Sequence, residues 1–485
     1  MKVPNRYLSF ISDFYGSETA NRLVTSLEND PSPTSFRLNP LKTTKESLPQ
    51  EWTTDAIAWS AGLGYYLSTR PVFTFDPLFH AGCYYVQEAS SMYLAHALTH
   101  VLPQLTDSNH PLRVLDLCAA PGGKSTLLRS LLPHSALLLS NEPIKQRASV
   151  LKENITKWGH PFTAVSSGYA CDIASTGCQF DLIVTDVPCS GEGMMRKEPD
   201  AVTQWSEELV NKCANLQRDI VRDIWSSLRP GGYLIYSTCT FNPREDDDNI
   251  HYFIAELGAQ YIELSPPDSW QIYTVGSTSG YHFLPHLTRG EGFYLAVLRK
   301  PMDGVNTEHK QKQKKNKKLK ETMLPTRNIV SQLSPWLQDS YANIDGVSCP
   351  WKYIWRDKLD EYAAIPSIHA DFLSQLHQGH LNILQEGIPL ARVKGRKLQP
   401  HPALALSAAL CPNAFPKIEV SLETALAYLR TEALTLPSDT PKGYVIITYK
   451  NINLGYVNNL GNRANNLYPS EWRIRTTHLP NQNGA

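Results

Sequence analysis

The sequence predicts an α/β protein built on a doubly wound, mainly parallel sheet. Six apolar runs of strand length lie between residues 113 and 300, and helix-length segments separate most of them. Strands that alternate with helices form βαβ units, which bury a parallel sheet between two layers of helices. The six runs are RVLDLCA (113–119), ALLLSNE (136–142), FTAVSS (162–167), FDLIVTDVP (180–188), GGYLIYSTC (231–239) and FYLAVLRK (293–300).

The composition is that of a globular chain long enough for two to four domains. Of its 485 residues 42% are hydrophobic, and 46 Lys and Arg balance 46 Asp and Glu, so the net charge points to neither nucleic acid nor membrane. No apolar run is long enough to cross a membrane, and the first residues lack the pattern of a signal peptide. The nine cysteines form no CxxC pairs, which predicts a reduced, cytoplasmic protein without a disulfide framework or a metal site.

Changes in composition divide the chain into five predicted segments. The region before the alternating strands has a helix-like start and an extended SFRLNPLK segment, and a lysine-rich stretch follows the last strand. The predicted segments are an N-terminal α/β domain that binds RNA (1–105), the sheet domain (106–302), a basic linker (303–325), an intermediate C-terminal domain (326–400) and a C-terminal β domain (401–485).

The C-terminal region has the composition of an RNA-binding module. From Leu381 onward 11 Lys and Arg stand against six acids, with tyrosine and tryptophan interleaved. The alternative is a β domain whose aromatic side chains form its core. Short strands separated by NLG and NNLG turns predict a small barrel or sheet. The aromatic residues concerned are Tyr444, Tyr449, Tyr456, Tyr468 and Trp472.

Two basic stretches of the sequence could either contact RNA or simply be exposed to solvent. The linker carries seven lysines and no acid between Lys310 and Lys320. The loop GEGMMRKEP (191–199) is expected to lie over the substrate pocket. Its Arg196 and Lys197 are placed to contact phosphates or to face solvent.

The stretch VLDLCAAPGGKST (114–126) ends like a phosphate loop but lacks its first glycine, because Cys118 stands there. The alternative is a nucleoside-binding turn, since a strand, Asp116, a glycine turn and a helix place a ligand at the carboxyl edge of a sheet. Glu142 ends the second strand, where an acid accepts hydrogen bonds from ribose hydroxyls. A nicotinamide dehydrogenase shares these elements, so they leave hydride and methyl transfer open.

Two cysteines end two later strands at the same predicted edge. Cys189 lies in TDVPCSGEG (185–193), three residues after Asp186, and Cys239 lies in YSTCTFNPRE (236–245). Carbon 5 of cytosine attacks a methyl sulfonium only after a thiolate has added to carbon 6 and a carboxyl group supports N3. Release of the product then needs a second basic or thiol group. A lone cysteine is more often a small buried residue, but this set predicts cytosine-5 methyl transfer from S-adenosylmethionine.

The segment after Cys239 predicts a helix that begins beside that thiol. Asn242 is a favourable cap, Pro243 suits the first helical position, and Glu245 and Asp246 suit the first turn. A helix N-terminus at this point would favour the thiolate form of the cysteine.

These motifs resemble the NOL1/NOP2/Sun family of RNA cytosine-5 methyltransferases. The C-terminal extension is similar to a bacterial branch that modifies small-subunit rRNA and carries a PUA-like tail. The resemblance implies a Rossmann-like class I methyltransferase domain, a PUA-like RNA-binding domain at 401–485, and rRNA or the assembled 30S subunit as partner, with no membrane. A monomer is expected, because the sheet needs no second subunit to close. The matching strings are LDLCAAPGGKST, SNEP, DVPCSGEGMMRKEP, STCTFNPRED and GEGFYLAVL, with SFRLNPLK and YYVQEASSM upstream.

The resemblance also implies a role for each site residue. Cys239 is the nucleophile and Cys189 assists release of the product. Asp186 contacts cytosine and cofactor, and Lys124 orients groups around the ring. The family's acid after the third strand, which contacts adenine, is displaced here by a few residues. The implied cofactor-binding residues are Cys118, Ala119, Ala120, Pro121, Gly122, Gly123, Lys124, Glu142, Asp172 and Asp186.

The leading hypothesis is S-adenosylmethionine-dependent methylation of carbon 5 of a cytidine in 16S rRNA. The catalytic strings fit a tRNA substrate equally well. A DNA cytosine-5 methyltransferase would use the first cysteine as nucleophile and leave Cys239 unexplained. A non-catalytic ribosome-assembly factor would have no need of Cys189, Cys239, Asp186 and Lys124 together.

Overall fold

The computed structural model describes residues 2–105, 110–274, 280–302, 324–338, 341, 343–345, 347–395 and 397–476. The predicted linker 303–325 lies outside these residues except for Leu324 and Pro325. Within the described part of the chain, no helix is both long enough and apolar enough to cross a membrane. All nine cysteines are free thiols.

The N-terminal segment folds into one long helix and a small antiparallel sheet, as its sequence predicts. Its elements are α1 (Asn5–Asn29), β1 (Thr34–Leu38), β2 (Asp55–Ala56), β3 (Gly64–Leu67), α2 (Pro77–His80), β4 (Tyr84–Val86) and α3 (Leu94–Val101). The strands are ordered β2-β3-β1-β4. Helix α1 bends at Gly16, whose φ of 75° lies in the left-handed region.

Helix α1 packs onto the part of the chain that carries the second cysteine. The rings of Tyr7 and Trp205 meet edge to face with centroids 4.9 Å apart. Tyr15 donates a hydrogen bond of 2.5 Å to the carbonyl oxygen of Phe241, two residues after Cys239. All these aromatic side chains are buried, so α1 is fixed against the cysteine loop by apolar contact and one hydrogen bond.

The central sheet confirms the predicted doubly wound fold. Its first elements in chain order are β5 (Arg113–Asp116), α4 (Gly123–Leu131), β6 (Leu137–Asn141), α5 (Lys145–Trp158), β7 (Thr163–Ser167), α6 (Ala170–Ser175), β8 (Phe180–Asp186), α7 (Pro199–Gln204), α8 (Glu207–Ile224), β9 (Leu228–Thr238), α9 (Asp247–Leu257), β10 (Gln260–Ile262), β11 (Tyr281–Phe283) and β12 (Phe293–Arg299). The order is β10-β12-β9-β8-β5-β6-β7, with β11 also on β12. Strands β5 to β9 pair in parallel, and β12 adds antiparallel to β9.

Each of the six predicted strands is present, with boundaries shifted by at most three residues. The chain reverses direction across the sheet at β5, which lies between β6 and β8. Open α/β sheets bind ligands at such a switch point, outside the carboxyl ends of the strands. The fold therefore predicts a ligand site at the loops after β5, β8 and β9.

The C-terminal part forms two further four-stranded sheets and one two-stranded sheet. Its elements are α10 (Arg327–Leu333), β13 (Asn343–Ile344), β14 (Val347–Ser348), β15 (Trp351–Arg356), β16 (Glu361–Pro366), α11 (Ala370–Gln378), β17 (Asn382–Glu386), β18 (Ile388–Lys394), β19 (Lys397–Pro400), α12 (Pro402–Leu406), β20 (Lys417–Glu419), α13 (Leu422–Leu429), β21 (Gly443–Tyr449), β22 (Ile452–Asn459) and β23 (Ala464–Asn466). One four-stranded sheet is β15-β16-β18-β19 and the other is β20-β21-β22-β23. Strand β17 instead pairs antiparallel with β7 and extends the central sheet.

The last sheet departs from the sequence analysis in two respects. The first predicted NLG turn, 453–455, lies inside β22, and the hairpin turns at Lys450 and Asn451, which both have positive φ. Tyr456 and Tyr468 are buried in the core, so these two aromatic side chains stabilise the domain and are not free to stack on bases. The division of the chain at residues 105, 302, 325 and 400 stays a prediction.

A buried arginine joins the N-terminal sheet to the central domain. Arg37 on β1 is fully buried and donates hydrogen bonds to Gln87 Oε1 at 3.0 Å and to Thr126 Oγ1 of α4 at 2.6 Å. It also donates to the carbonyl oxygen of Gly123 at 3.3 Å, and its guanidinium lies 4.6 Å from the ring centroid of Trp158. Burial lowers the pKa of Arg37 to about 9, so hydrogen bonds and the ring face must replace its hydration.

We expect Arg37→Met to lower the free energy of unfolding by about 3 kcal/mol, because it leaves several buried acceptors without a donor. Urea denaturation followed by tryptophan fluorescence measures the change. The matched control is Arg70→Met on the exposed surface, for which we expect a change within about 0.5 kcal/mol. Equal destabilisation by the two substitutions would contradict the bridging role.

Candidate active site

A cleft of about 380 Å³ opens where β5, β8 and β9 end. One wall is the glycine loop that follows β5, and another is residues Glu291 to Phe293 at the start of β12. Residues Tyr85 to Glu88 of the N-terminal segment also line the cleft. The predicted catalytic residues Lys124, Asp186 and Cys239 all face this space.

The glycine loop is tied to its neighbours by its own backbone. Ala119 N donates to the carbonyl oxygen of Asn141 at 2.8 Å, and Asn154 Nδ2 donates to the carbonyl oxygen of Pro121 at 2.8 Å. Gly122 has a φ of 117° and immediately precedes α4, so a side chain at this position would be strained. A loop already bonded to the sheet and to α5 has fewer N–H groups free to cradle phosphates than a phosphate loop.

The partner of the loop lysine is a carboxyl group. Lys124 Nζ donates to Asp186 Oδ2 at 2.8 Å, and Ser237 Oγ donates to Asp186 Oδ1 at 2.9 Å. Burial opposes the charge on Lys124, but Asp186 outweighs it and the pKa of Lys124 is raised. The same ammonium lies 5.0 Å from the ring centroid of Phe293. This ion pair joins the first turn of α4 to the end of β8.

The two predicted cysteines lie in contact. Cys189 Sγ and Cys239 Sγ are 3.1 Å apart. Cys239 is among the residues that line the cleft, and Cys189 is not. The hydrogen bond to Cys239, together with burial, raises the pKa of Cys189 well above its usual value, so Cys189 is held as a thiol. The sulfur of Cys239 therefore lies at the cleft, and the sulfur of Cys189 contacts it from outside the cleft lining.

Buried carboxylates hold the two cysteine loops together. Asn242 Nδ2 donates to Glu192 Oε1 and to Glu245 Oε1, each at 2.9 Å. Glu245 also accepts from Ser190 N at 3.0 Å, and Glu192 accepts from Phe241 N at 2.8 Å. Each carboxylate thus bridges the loop after β8 and the loop after β9. Burial raises the pKa of Glu245 to about 7.

The helix predicted beside Cys239 begins later than expected. Asn242 Oδ1 accepts from Glu245 N at 3.0 Å, as a capping side chain does. Residues 243–246 nevertheless form turns, and α9 starts at Asp247. Asp246 accepts from Thr238 Oγ1 at 2.7 Å, so it is held against the end of β9. The prediction that a helix N-terminus adjoins the cysteine is wrong.

Three predicted cofactor-binding residues lie outside the cleft-lining set, namely Gly122 of the glycine loop and the acids Glu142 and Asp172. Glu142 follows β6 and is almost fully buried, with Oε1 accepting from Ile144 N at 3.0 Å and Oε2 3.5 Å from Arg147. Asp172 is exposed and accepts from Tyr169 N at 2.8 Å, which caps α6. Both acids lie at the expected edge of the sheet, and their roles toward a cofactor stay predictions.

The sequence analysis missed cleft residues from two other segments. Glu88, Glu291 and Phe293 line the same space as the predicted site. Glu88 Oε1 accepts from Glu291 N at 3.0 Å, which joins the N-terminal segment to the strand that starts at Phe293. The strings YYVQEASSM and GEGFYLAVL contain these residues. In neither string does an acid follow a predicted parallel strand, which is the pattern that identified Asp116, Glu142 and Asp186.

Three family models match separate parts of the chain. They are the N-terminal domain of 16S rRNA methyltransferase RsmF at residues 3–89, 16S rRNA methyltransferase RsmB/F at residues 103–299, and the methyltransferase RsmF PUA domain at residues 415–474. The matches run in the order of the N-terminal, central and last sheets. They confirm the resemblance found from the motifs and the PUA-like nature of the C-terminal region.

Relatives and solved structures agree with these matches. The structure titled NSun6 from Pyrococcus horikoshii with SFG has a TM-score of 0.50 at 20% identity, covering 62% of this chain and 98% of that one, and shows the same fold. The ribosomal RNA small subunit methyltransferase F of Shewanella woodyi is 28% identical over 92% of this chain and 91% of its own. That of Erwinia tasmaniensis is 31% identical over 93% of this chain and 92% of its own. The chain therefore belongs to the 16S rRNA methyltransferase RsmB/F family and has the N-terminal and PUA domains of RsmF.

Proposed function

We propose that this protein transfers a methyl group from S-adenosylmethionine to carbon 5 of a cytidine in 16S rRNA, through a covalent cysteine–cytosine adduct. The observation that carries the proposal is the contact of Cys189 and Cys239 at 3.1 Å, with Cys239 facing a cleft shared with Lys124 and Asp186. A thiol, a carboxyl group and an ammonium in one cleft, with a second thiol in contact with the first, are the groups that this chemistry needs.

The residues at the edge of the sheet suit a cationic nucleoside cofactor. Asp116 Oδ1 is buried and has no hydrogen-bond partner among the described residues. Burial raises the pKa of Asp116 to about 7. Together with Glu142 and Asp186 it gives this edge acceptors for ammonium and hydroxyl groups. We propose that the loop from Cys118 to Lys124 holds the cofactor with these acids and with Asp172. When bound, S-adenosylmethionine supplies an electrophilic methyl group; SFG, present in the NSun6 structure, is an analogue of it.

Cys239 starts the reaction on the base. Its thiolate adds to carbon 6 of the cytosine ring, forming a carbon–sulfur bond and moving the electrons of the 5,6 double bond toward carbon 5. As negative charge develops on N3 of the ring, Asp186 passes to it a proton from the Lys124 ammonium, which lies 2.8 Å from the carboxyl group. Carbon 5 then has the nucleophilicity to accept the methyl group.

Cys189 acts in the release of the product. Loss of the carbon-5 proton to a base restores the 5,6 double bond and expels Cys239 as a thiolate. Because the pKa of Cys189 is raised by its hydrogen bond to Cys239 and by burial, its S–H is available to donate to the departing sulfur. This interaction lowers the energy of the thiolate and so favours cleavage of the carbon–sulfur bond.

The substrate assignment follows from the relatives. Those that align along most of the chain are named ribosomal RNA small subunit methyltransferase F. We propose small-subunit rRNA, free or within the 30S subunit, as the substrate of a monomer acting in the cytoplasm. Its PUA and N-terminal domains would hold the RNA. A tRNA substrate is the alternative that the catalytic residues alone allow.

Substitution of the cysteines separates their roles. We expect Cys239→Ser to abolish tritium transfer from labelled S-adenosylmethionine and to form no adduct, because the thiolate is lost. Cys189→Ser should instead accumulate a protein–RNA adduct that survives a denaturing gel, because departure of Cys239 is no longer assisted. The exposed Cys171→Ser is the control and should behave as the wild type. The reverse pattern for the two cysteines would overturn the assignment.

Loss of the carboxyl charge should slow the chemical step. We expect Asp186→Asn to lower single-turnover methyl transfer by about 10²- to 10⁴-fold, because the amide cannot pass a proton to N3 and Lys124 loses its anionic partner. Asp219→Asn, at an exposed position on α8, is the control. An unchanged rate for Asp186→Asn would remove this residue from the mechanism.

Bisulfite sequencing tests the substrate. In cells that lack the gene, one or more cytidines of small-subunit rRNA should become fully convertible, and the gene on a plasmid should restore their protection. An unchanged rRNA pattern together with a lost tRNA signal would favour the tRNA alternative. Wild-type protein that binds rRNA and transfers no methyl group would contradict the enzymatic function itself.

A further inference from the structure

Glu291 is a buried residue in the lining of the active-site cleft, and its carboxylate makes no hydrogen bond among the described residues. Its side chain is 3% exposed, and it lines the cleft together with Cys239, Lys124 and Asp186. Neither carboxylate oxygen has a hydrogen-bond partner among the described residues. Buried carboxylates are almost always hydrogen-bonded, because their desolvation is costly. An exception that lines a cleft is therefore available to a ligand.

Two cations lie near this carboxylate without donating a hydrogen bond to its oxygens. Arg196 Nη1 lies 3.7 Å from Oε2, and Lys197 Nζ lies 3.4 Å from Oε1. Both distances exceed those of strong charge-assisted hydrogen bonds, so they supply opposite charge while lone pairs remain free. Arg196 instead donates to the carbonyl oxygen of Gly290 at 3.2 Å and to Ser26 Oγ at 3.2 Å.

The backbone of Glu291 is fixed close to the nucleophile. Its N–H donates to Glu88 Oε1 at 3.0 Å. Gly193 packs between the two segments, since a Cβ placed on it would lie 2.9 Å from the carbonyl oxygen of Cys239 and 3.1 Å from that of Glu291. The carbonyl of Cys239 in turn accepts from Gly193 N at 2.8 Å. The backbones of Cys239 and Glu291 therefore lie close together, and both residues line the same cleft.

The other two carboxyl groups among the described cleft residues are already engaged. Glu88 accepts from Ser90 N and Glu291 N with one oxygen and from Ser91 N with the other. Asp186 accepts from Ser237 with one oxygen and from Lys124 with the other, at 2.9 and 2.8 Å. Glu291 is thus the acid in the cleft that has unused acceptor capacity. Cytosine presents an amino donor at position 4, whereas uracil presents a carbonyl acceptor there. An ionised carboxylate attracts the first and repels the second.

We propose that Glu291 accepts a hydrogen bond from the exocyclic amine of the target base and makes the enzyme select cytosine over uracil. This role rests on the proposed function. It gives Glu291 a part in base choice that is separate from the covalent chemistry of Cys239. In this arrangement Arg196 and Lys197 balance the charge of the Glu291 carboxylate and do not themselves contact the base.

The test compares adduct formation on two bases. RNA spanning the cytidine mapped by bisulfite sequencing is prepared with 5-fluorocytidine or 5-fluorouridine at that position, because fluorine at carbon 5 blocks release and traps the adduct. The wild type should trap 5-fluorocytidine and discriminate strongly against 5-fluorouridine. Glu291→Gln can donate to a carbonyl, so we expect the ratio of the two trapping rates to fall by about 10- to 100-fold, the effect of one charge-assisted hydrogen bond.

Three further variants separate base reading from structural support. Glu291→Asp keeps an acceptor and should retain the preference for cytosine even if its rate falls. Arg196→Gln removes a partner of the carboxylate and should slow both probes without changing their ratio. Glu207→Gln, an exposed acid on α8, should match the wild type. Cofactor binding by equilibrium dialysis identifies variants that fail to fold.

The outcomes distinguish this inference from the proposed function. A wild type that traps neither base would overturn the proposed function and the inference with it. A wild type that traps 5-fluorocytidine, together with a Glu291→Gln variant that keeps the full preference, would overturn the inference alone and leave Glu291 as a structural partner of Arg196.

Discussion

The register of β8 against β9 is the constraint on which the site depends. Their parallel ladder aligns Asp186 with Ser237, so the loop after each strand starts level with the other. The sulfurs of Cys189 and Cys239 meet at 3.1 Å for this reason. A slip of one residue would turn the side chains of one strand to the opposite face. The buried apolar side chains on both faces of these strands prevent it.

Two kinds of buried carboxylate lie near the ends of β8 and β9. Glu192, Glu245 and Asp246 are buried behind the cysteines, and burial raises the pKa of each. The hydrogen bonds of Glu192 and Glu245 run between the loops and hold them in one arrangement, whereas Asp246 is bonded to Thr238 at the end of β9. Glu291 is buried as deeply, and Arg196 and Lys197 lie 3.7 and 3.4 Å from its oxygens without a hydrogen bond to them. Glu192 and Glu245 therefore use their acceptors to join the loops, whereas the oxygens of Glu291 accept no hydrogen bond from the described residues.

Features that depend on local sequence could be predicted. The six strands follow from apolar runs, and Lys124, Asp186, Cys189 and Cys239 follow from their places at strand ends. Features that depend on distant contacts could not. The pairing of β17 with β7 joins residues that are more than 200 positions apart. The burial of Arg37 depends on α4, and the position of Glu291 depends on Glu88. The late start of α9 follows from hydrogen bonds of Asn242 and Asp246 to tertiary partners, which outweigh a favourable capping sequence.

The pairing of β17 with β7 has a consequence for synthesis of the chain. Strand β7 ends the parallel part of the central sheet, and Glu386 is the last residue of its partner. Until the ribosome has made that residue, the nascent domain carries an open strand edge that can pair with other chains. At ordinary elongation rates this interval lasts on the order of ten seconds or more. A truncated product that ends before β17 would contain the whole catalytic cleft and still expose the edge. Such a product would be more prone to aggregate than the full-length chain, in which β17 covers this edge.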